Sequence, residues 1–250
     1  MKKIALIGGS GLEKLNIFND LREVEAHSSY GAASSTFFAG TIGQCEVFIL
    51  SRHGRDHAIP PGQVNNRANI DAIRNLGCSL ILSTTACGSL REEIGRGHVV
   101  IPDQFLDFTK HRISTFFDRF EPGVLGHVAM ADPFAEPLRQ LLIEGCHETG
   151  IRFHEKGPIV TIEGPRFSTR AESHMFRLLG ADIVNMSIAP EASLANEAGI
   201  PYATIALSTD YDSWKHDEEP VTWEDVLKVF NENVSHVTNL LIHVIQKNFA

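Results

Sequence analysis

Apolar positions fall into short continuous runs at Ile4 to Ile7, Val47 to Leu50, Leu80 to Leu82, Val99 to Ile101, Ile159 to Ile162, Ile183 to Val184 and Ala203 to Leu207. Uninterrupted runs of this length predict strands buried on both faces. Between them apolar residues recur with helical spacing: Val64, Ala68, Ala72, Ile73 and Leu76 share one face, as do Leu138, Leu141, Leu142 and Cys146. Asp132-Pro133 predicts the start of the second of these helices, a capping carboxylate before a proline suited to the first helical position, and Gly150 predicts its end. A further helix is expected from Pro190 to near Gly199. The last opens at Thr222-Trp223-Glu224-Asp225, a capping-box variant, and carries Trp223, Val226, Phe230, Val234, Val237, Leu241 and Val244 on one stripe. Strands alternating with helices predict an α/β sheet protein. Residues 102–130, rich in phenylalanine, follow neither period and read as an excursion or an inter-subunit surface.

Composition narrows the class. In a chain of 250 residues, 43% of them hydrophobic, one domain spanning 1–250 with a large core is expected, without repeats or linkers. The formal net charge of −9 argues against nucleic acid as a partner, although a few local cations suffice for a small anion. The start, Met1 to Ile7, is basic then apolar like a signal peptide, but Gly8-Gly9-Ser10-Gly11 interrupts it after four apolar residues. No stretch has the length to cross a bilayer, so a membrane is not an expected partner. Cys45, Cys78, Cys87 and Cys146 form no CxxC pair and sit mostly in apolar segments. That pattern suits buried thiols of a soluble, cytoplasmic protein.

Five segments carry candidate chemistry. Gly8-Gly9-Ser10-Gly11 follows a strand and reads either as an anion-binding turn with a Ser10 hydroxyl or as a plain strand-to-helix turn. Ser51-Arg52-His53-Gly54-Arg55-Asp56-His57 offers a guanidinium fork and imidazole donors for a phosphate clamp, with a solvated basic turn as the alternative. His53 and His57 also suggest a metal pair, but Gly54 disfavours a helix there and no Cys or Glu completes a ligand set. Ser83-Thr84-Thr85-Ala86-Cys87-Gly88-Ser89 supplies hydroxyls after a buried strand; it reads as a ligand loop or a capped turn, and Cys87 as a nucleophile only if something activates it. Asn185-Met186-Ser187-Ile188-Ala189-Pro190-Glu191 runs from a strand into a helix, where Ser187 suits an anion and Met186 a sugar face, while Glu191 reads as favoured by the helix dipole. In Ser208-Thr209-Asp210-Tyr211-Asp212-Ser213-Trp214, strand alternation puts Asp210 and Asp212 on one side if the strand continues. Burial would raise such a carboxyl's pKa and let it supply a proton; an Asx turn is the bland reading.

In order and spacing these segments resemble the methylthioadenosine and purine nucleoside phosphorylases over almost the whole chain. The specific parts are RHGRDH with PPGQVNNRANI, TTACGSLREEIGRG, IEGPRFSTRAES, NMSIAPEASLANEAG and STDYDSW. The resemblance implies a single-domain twisted mixed β-sheet, partly barrel-like and surrounded by helices, in a homotrimer with active sites near subunit contacts. By motif it assigns Ser10, Arg52, His53, Thr85, Ala86 and Ser187 to phosphate, with the Ala86 backbone contributing. Met186 lies beneath the ribose, Phe167 against the purine, and Asp210 and Asp212 at its imidazole and amino edge. Ser168 belongs to the stretch tied to base specificity. His127 is donated to the 5′ pocket of a neighbouring subunit.

The activity this implies is phosphorolysis of a purine nucleoside, S-methyl-5′-thioadenosine above all, with inorganic phosphate as co-substrate and no metal or organic cofactor. Asp210 is the catalytic residue, assisting the purine N7. An aspartate accepts from a 6-amino group and disfavours a 6-oxo group, which favours adenine over hypoxanthine or guanine. Trp223 stands where hydroxyl-preferring relatives place histidine, which favours methylthio at the 5′ end. The competing readings are a broad purine nucleoside phosphorylase taking adenosine, inosine, guanosine or methylthioinosine, a hydrolytic nucleosidase, and an inert nucleoside-binding protein.

Overall fold

In strand β1 (Lys2–Gly8), Ile4 and Leu6 point to one face of the sheet and Ala5 and Ile7 to the other, and all four are buried. A strand of this kind needs helices on both sides. The computed structural model, which describes residues 1–8, 18, 20–123, 126–218 and 221–249, supplies them. After β1 come β2 (Arg22–Val24), β3 (Phe37–Ile42), β4 (Cys45–Ser51), α1 (Asn66–Asn75), β5 (Leu80–Ser89), β6 (Val99–Val100) and β7 (Phe105–Phe108). They are followed by α2 (Glu136–Thr149), β8 (Phe153–His154), β9 (Ile159–Ile162), α3 (Arg170–Leu178), β10 (Ile183–Asn185), α4 (Ile188–Glu197), β11 (Tyr202–Asp210) and α5 (Trp223–Phe249). Helices α1 and α4 cover the Ala5 and Ile7 face, and α2 and α5 cover the Ile4 and Leu6 face.

One mixed 11-stranded sheet runs β2-β3-β4-β1-β5-β10-β9-β7, with β11, β6 and β8 branching from β5. The branch creates the cleft. On one edge of β5, β11 pairs in parallel from Ile81 to Gly88. On the other edge β1 pairs only as far as Ser83, and β10 joins antiparallel at Gly88. Between those two strands, Thr84 to Cys87 have no strand neighbour on this edge, and all four residues line the cavity.

Each predicted strand run lies within a strand or, at Val99 to Ile101, overlaps one, but β2, β3, β7 and β8 carry no clear apolar run and were not expected. Helix α2 begins at Glu136 rather than at Asp132-Pro133. Phe134 is buried against Phe105 and Tyr202, and the Ala135 N–H donates to the Tyr202 carbonyl at 2.8 Å, which keeps that segment extended. Pro137 then takes the place in the first turn. Gly150 ends the helix in the left-handed conformation as expected (φ 69°). Helix α4 opens at Ile188, two residues before Pro190, which sits harmlessly in a first turn whose N–H groups have no helical partner. Helix α3 was missed, although Thr169 and Glu172 form a reciprocal capping box that Thr-Arg-Ala-Glu spells out. Among the described residues, no helix is long and apolar enough to cross a membrane.

Candidate active site

The ends of β4, β10 and β11 and the open edge of β5 meet at one cavity of about 290 Å³. Ligands in open α/β sheets collect at such a place, beyond the carboxyl ends of strands. Of the residues singled out in the sequence, Arg52, His53, Thr85, Ala86, Ser187, Met186, Phe167, Asp210, Asp212 and Trp223 line it. Ser168 is buried just behind Asp212, and His127 is exposed against Phe120, away from the cavity. Ser10 lies outside the described residues.

The charge run 51–57 divides in two. Ser51, Arg52 and His53 are buried, with Arg52 and His53 at the cavity, and Arg55 and Asp56 are solvated as in the turn the sequence also allowed. Arg52 is 2% exposed. Its Nε and Nη2 donate to the two carboxylate oxygens of Glu191, and Nη1 donates to the Thr84 carbonyl at 2.9 Å. The Tyr202 hydroxyl donates to Glu191 Oε2 at 2.9 Å and lies 2.6 Å from Ser83 Oγ. Glu191 lies in the first turn of α4, where the helix dipole favours it as expected, and is in addition the buried counter-charge of Arg52. Burial pulls the Arg52 pKa down, and the Glu191 carboxylate more than restores it.

His53 departs from its expected role as a donor. Its Nδ1–H goes to the Ile59 carbonyl at 2.9 Å. Burial, reinforced by Arg52, pushes its pKa down to about 4, so at neutral pH the ring presents Nε2 as an acceptor. Its ring centroid lies 4.5 Å from that of His57, tilted by 33°, and the His57 centroid lies 5.0 Å from that of Trp223, tilted by 36°. His57 occupies a left-handed backbone conformation (φ 54°), uncommon outside glycine, at the cavity wall.

Across the cavity, hydroxyls are fixed by an amide that the sequence reading did not single out. Asn185 Nδ2 donates to Thr85 Oγ1 (3.2 Å) and Ser187 Oγ (3.3 Å), while its Oδ1 accepts from Thr161 (2.8 Å). Ser187 occupies the N-cap of α4 but does not cap it. Its hydroxyl faces Thr85 at 3.2 Å instead.

The two carboxylates share the cavity by a turn rather than by strand alternation. Strand β11 ends at Asp210, and Asp212 sits in a 3-10 turn at φ 44°, where its N–H donates to Asp210 Oδ1 at 2.8 Å. Thr209 donates to Asp210 Oδ2 at 2.9 Å. Burial outweighs both bonds and raises the Asp210 pKa to about 6. Burial likewise raises Asp212. Cys87, next to Asp210, is pushed well above the ordinary thiol range by burial, which removes it as a nucleophile. Gly88 makes room for Asp210: a Cβ there would lie 2.8 Å from Asp210 Oδ1 and 3.2 Å from Val184 Cγ1. With Asp210 pinned by two hydrogen bonds, Gly88→Ala should lower turnover at least tenfold, since misplacing a reacting group by about 1 Å costs on the order of 10²-fold. Thermal unfolding of the same sample checks that the loss is local.

The Phosphorylase superfamily model matches residues 3–246. The S-methyl-5′-thioadenosine phosphorylase of Xenopus tropicalis is 49% identical over 97% of this chain and 88% of its own, and that of Hyperthermus butylicus 47% identical over 98% and 88%. The methylthioadenosine phosphorylase of Schistosoma mansoni in complex with adenine superposes with a TM-score of 0.92 at 40% identity, covering 98% of this chain and 91% of that one. A variant of the same Schistosoma enzyme was solved with methylthioadenosine (TM-score 0.89, 40% identity, 98% and 91% covered). With a family match over nearly its full length and relatives this similar, the chain belongs to the phosphorylase superfamily, in the family of S-methyl-5′-thioadenosine phosphorylases.

Proposed function

We propose that this chain catalyses phosphorolysis of S-methyl-5′-thioadenosine, giving adenine and 5-methylthioribose 1-phosphate. The observation that carries the reading is a buried carboxyl, Asp210, with its pKa raised to about 6, in the same cavity as Arg52 and the facing hydroxyls of Thr85 and Ser187. Cleavage at the anomeric carbon builds positive charge on the sugar while electrons flow into the purine. Protonation or hydrogen bonding of N7 by Asp210 stabilises the leaving base, an effect of about 10²–10⁴-fold. The remaining Nη protons of Arg52, the Thr85 and Ser187 hydroxyls and the open-edge amide of Ala86 hold phosphate on the other side. The family motif assigns Ser10 to the same phosphate. Neutral His53 accepts from a protonated phosphate oxygen through Nε2. Met186 supports the ribose, Phe167 lies against the base, and Ser168 contributes to base choice. No metal or organic cofactor takes part in this scheme.

The 5′ end lies against Trp223, Val226, Leu227 and Phe230 of α5, which line the cavity with apolar surface. That lining supports a methylthio group over a hydroxyl. Trp223→His should shift the ratio of kcat/KM for methylthioadenosine over adenosine toward adenosine by roughly 1–3 kcal/mol, the scale of small group changes in an apolar pocket. An unchanged ratio on folded protein would make Trp223 structural only.

A homotrimer is part of the proposal, with His127 entering a neighbour's 5′ pocket. The exposed Phe117, Phe120 and Val128 around His127 support a subunit contact there. Four buried free cysteines support a reducing, cytoplasmic setting. Release of adenine from methylthioadenosine, assayed with and without phosphate alongside adenosine and inosine, tests the activity and its substrate choice together.

A further inference from the structure

Five buried side-chain polar atoms among the described residues have no hydrogen-bond partner, and three of them, Ser168 Oγ, Ser173 Oγ and Asp212 Oδ2, lie on α3, on the segment leading into it and on the 3-10 turn packed against it. Such orphans are rare in folded proteins, and clusters of them mark places where local rules yield to function. Ser173 lies on the inner face of α3 and is fully buried, and Ser168 precedes the Thr169 cap of the same helix. The 3-10 turn bearing Asp212 is tied to this unit by Ser213, whose hydroxyl donates to the Ser168 carbonyl at 2.7 Å. Helix α3 packs directly against this turn, and both serine hydroxyls oppose the effect of burial on the Asp212 carboxyl. Asp210 has no such serines and depends on Thr209 and the Asp212 N–H.

We propose that Ser173 is a positioning residue: with Ser168 it donates to the Asp212 carboxylate and orients it as an acceptor for the 6-amino group of the base, leaving proton supply to Asp210. This rests on the phosphorolysis proposed above. A 6-amino group has two N–H donors, and two carboxylates can take one each. Paired carboxylates whose surroundings differ take different roles in this way. The other charged groups bearing on the pair are Glu172 of α3, which is ion-paired with Arg166 and disfavours charge on Asp212, and Arg96, which favours charge on Asp210. Cys87 faces Asp210 as a neutral thiol.

The test compares Ser173→Ala and Ser173→Cys with the parent enzyme on methylthioadenosine and methylthioinosine from pH 5 to 9. Without the Ser173 donor, Asp212 is harder to ionise. The acid limb of kcat/KM for the 6-amino substrate should therefore move to higher pH, and its KM should rise about tenfold with little change in kcat, the scale expected for a lost hydrogen bond to a charged group. The relative use of the 6-oxo substrate should rise by the same factor. Both variants should behave alike, since cysteine keeps the volume but donates weakly. Unchanged substrate ratios and pH limbs in folded variants overturn the role of Ser173, as does a loss in Ser173→Ala that Ser173→Cys does not share, which would indicate packing. A parent enzyme with no phosphate-dependent activity on methylthioadenosine would instead overturn the underlying function.

Discussion

Asp210→Asn should lower methylthioadenosine phosphorolysis by about 10²–10⁴-fold and at the same time make the folded chain more stable at neutral pH. The two effects have one origin. A carboxyl whose pKa is raised from 3.8 to about 6 is held in a site that disfavours its charged form. The folded chain then binds more protons than the unfolded one between those two values, so stability falls as pH rises from about 4 to about 6 and stays lower above it. The difference corresponds to about 3 kcal/mol at pH 7. Asparagine carries no charge and can still accept from the Asp212 N–H, so most of that penalty should disappear. Urea unfolding of parent and variant at pH 4 and pH 7 checks the sign: the stabilisation should be present at pH 7 and largely absent at pH 4. The variant should also use 6-oxopurine nucleosides relatively better, because an amide donates where the carboxylate accepted.

Glu191→Leu should destabilise the chain by about 3–5 kcal/mol, because it strands a fully buried guanidinium and removes the acceptor of the Tyr202 hydroxyl. The double variant Arg52→Met, Glu191→Leu should recover most of that loss, since well-packed apolar residues often replace a buried ion pair at little cost. Recovery of stability must not bring recovery of activity. The double variant lacks the guanidinium proposed to bind phosphate through its remaining Nη protons and should show no saturation by phosphate, whereas Arg52→Ala alone should raise the phosphate KM far more than the nucleoside KM. Equal destabilisation of the single and double Glu191 variants would mean that the pair is a net contributor in itself rather than a paired necessity.

The limits of sequence reading follow from what each residue needs from distant partners. Strands such as Ile4 to Ile7 and Ala203 to Leu207 are legible because burial on both faces leaves a local signature. Strand β3 is not, since Gly40 and Thr41 interrupt its apolar residues and its identity comes from pairing with β4. Asp210 and Arg52 stood out because a carboxylate and a guanidinium at strand ends imply ligand chemistry. Glu191 did not, because its partner is 139 residues away and only the folded sheet brings them together. The same holds for Asn185, which looks like an ordinary strand end until its amide is seen bracing Thr85 and Ser187. His53 was found by motif, but its role as an acceptor depends on a carbonyl supplied by Ile59 after an irregular turn. Ser173 gave no signal at all, since a serine on a helix face is ordinary until its hydroxyl is found buried without a partner.

The central claim is that a buried acid and an anion site act together across one glycosidic bond. Single-turnover release of adenine from methylthioadenosine, measured with excess enzyme while phosphate is varied from none to saturation, tests it most directly. The expected result is no significant release without phosphate, a saturating rise with phosphate, stoichiometric 5-methylthioribose 1-phosphate, and loss of the fast step in Asp210→Asn. Adenine release at the same rate without phosphate, with free 5-methylthioribose as the other product, would contradict it.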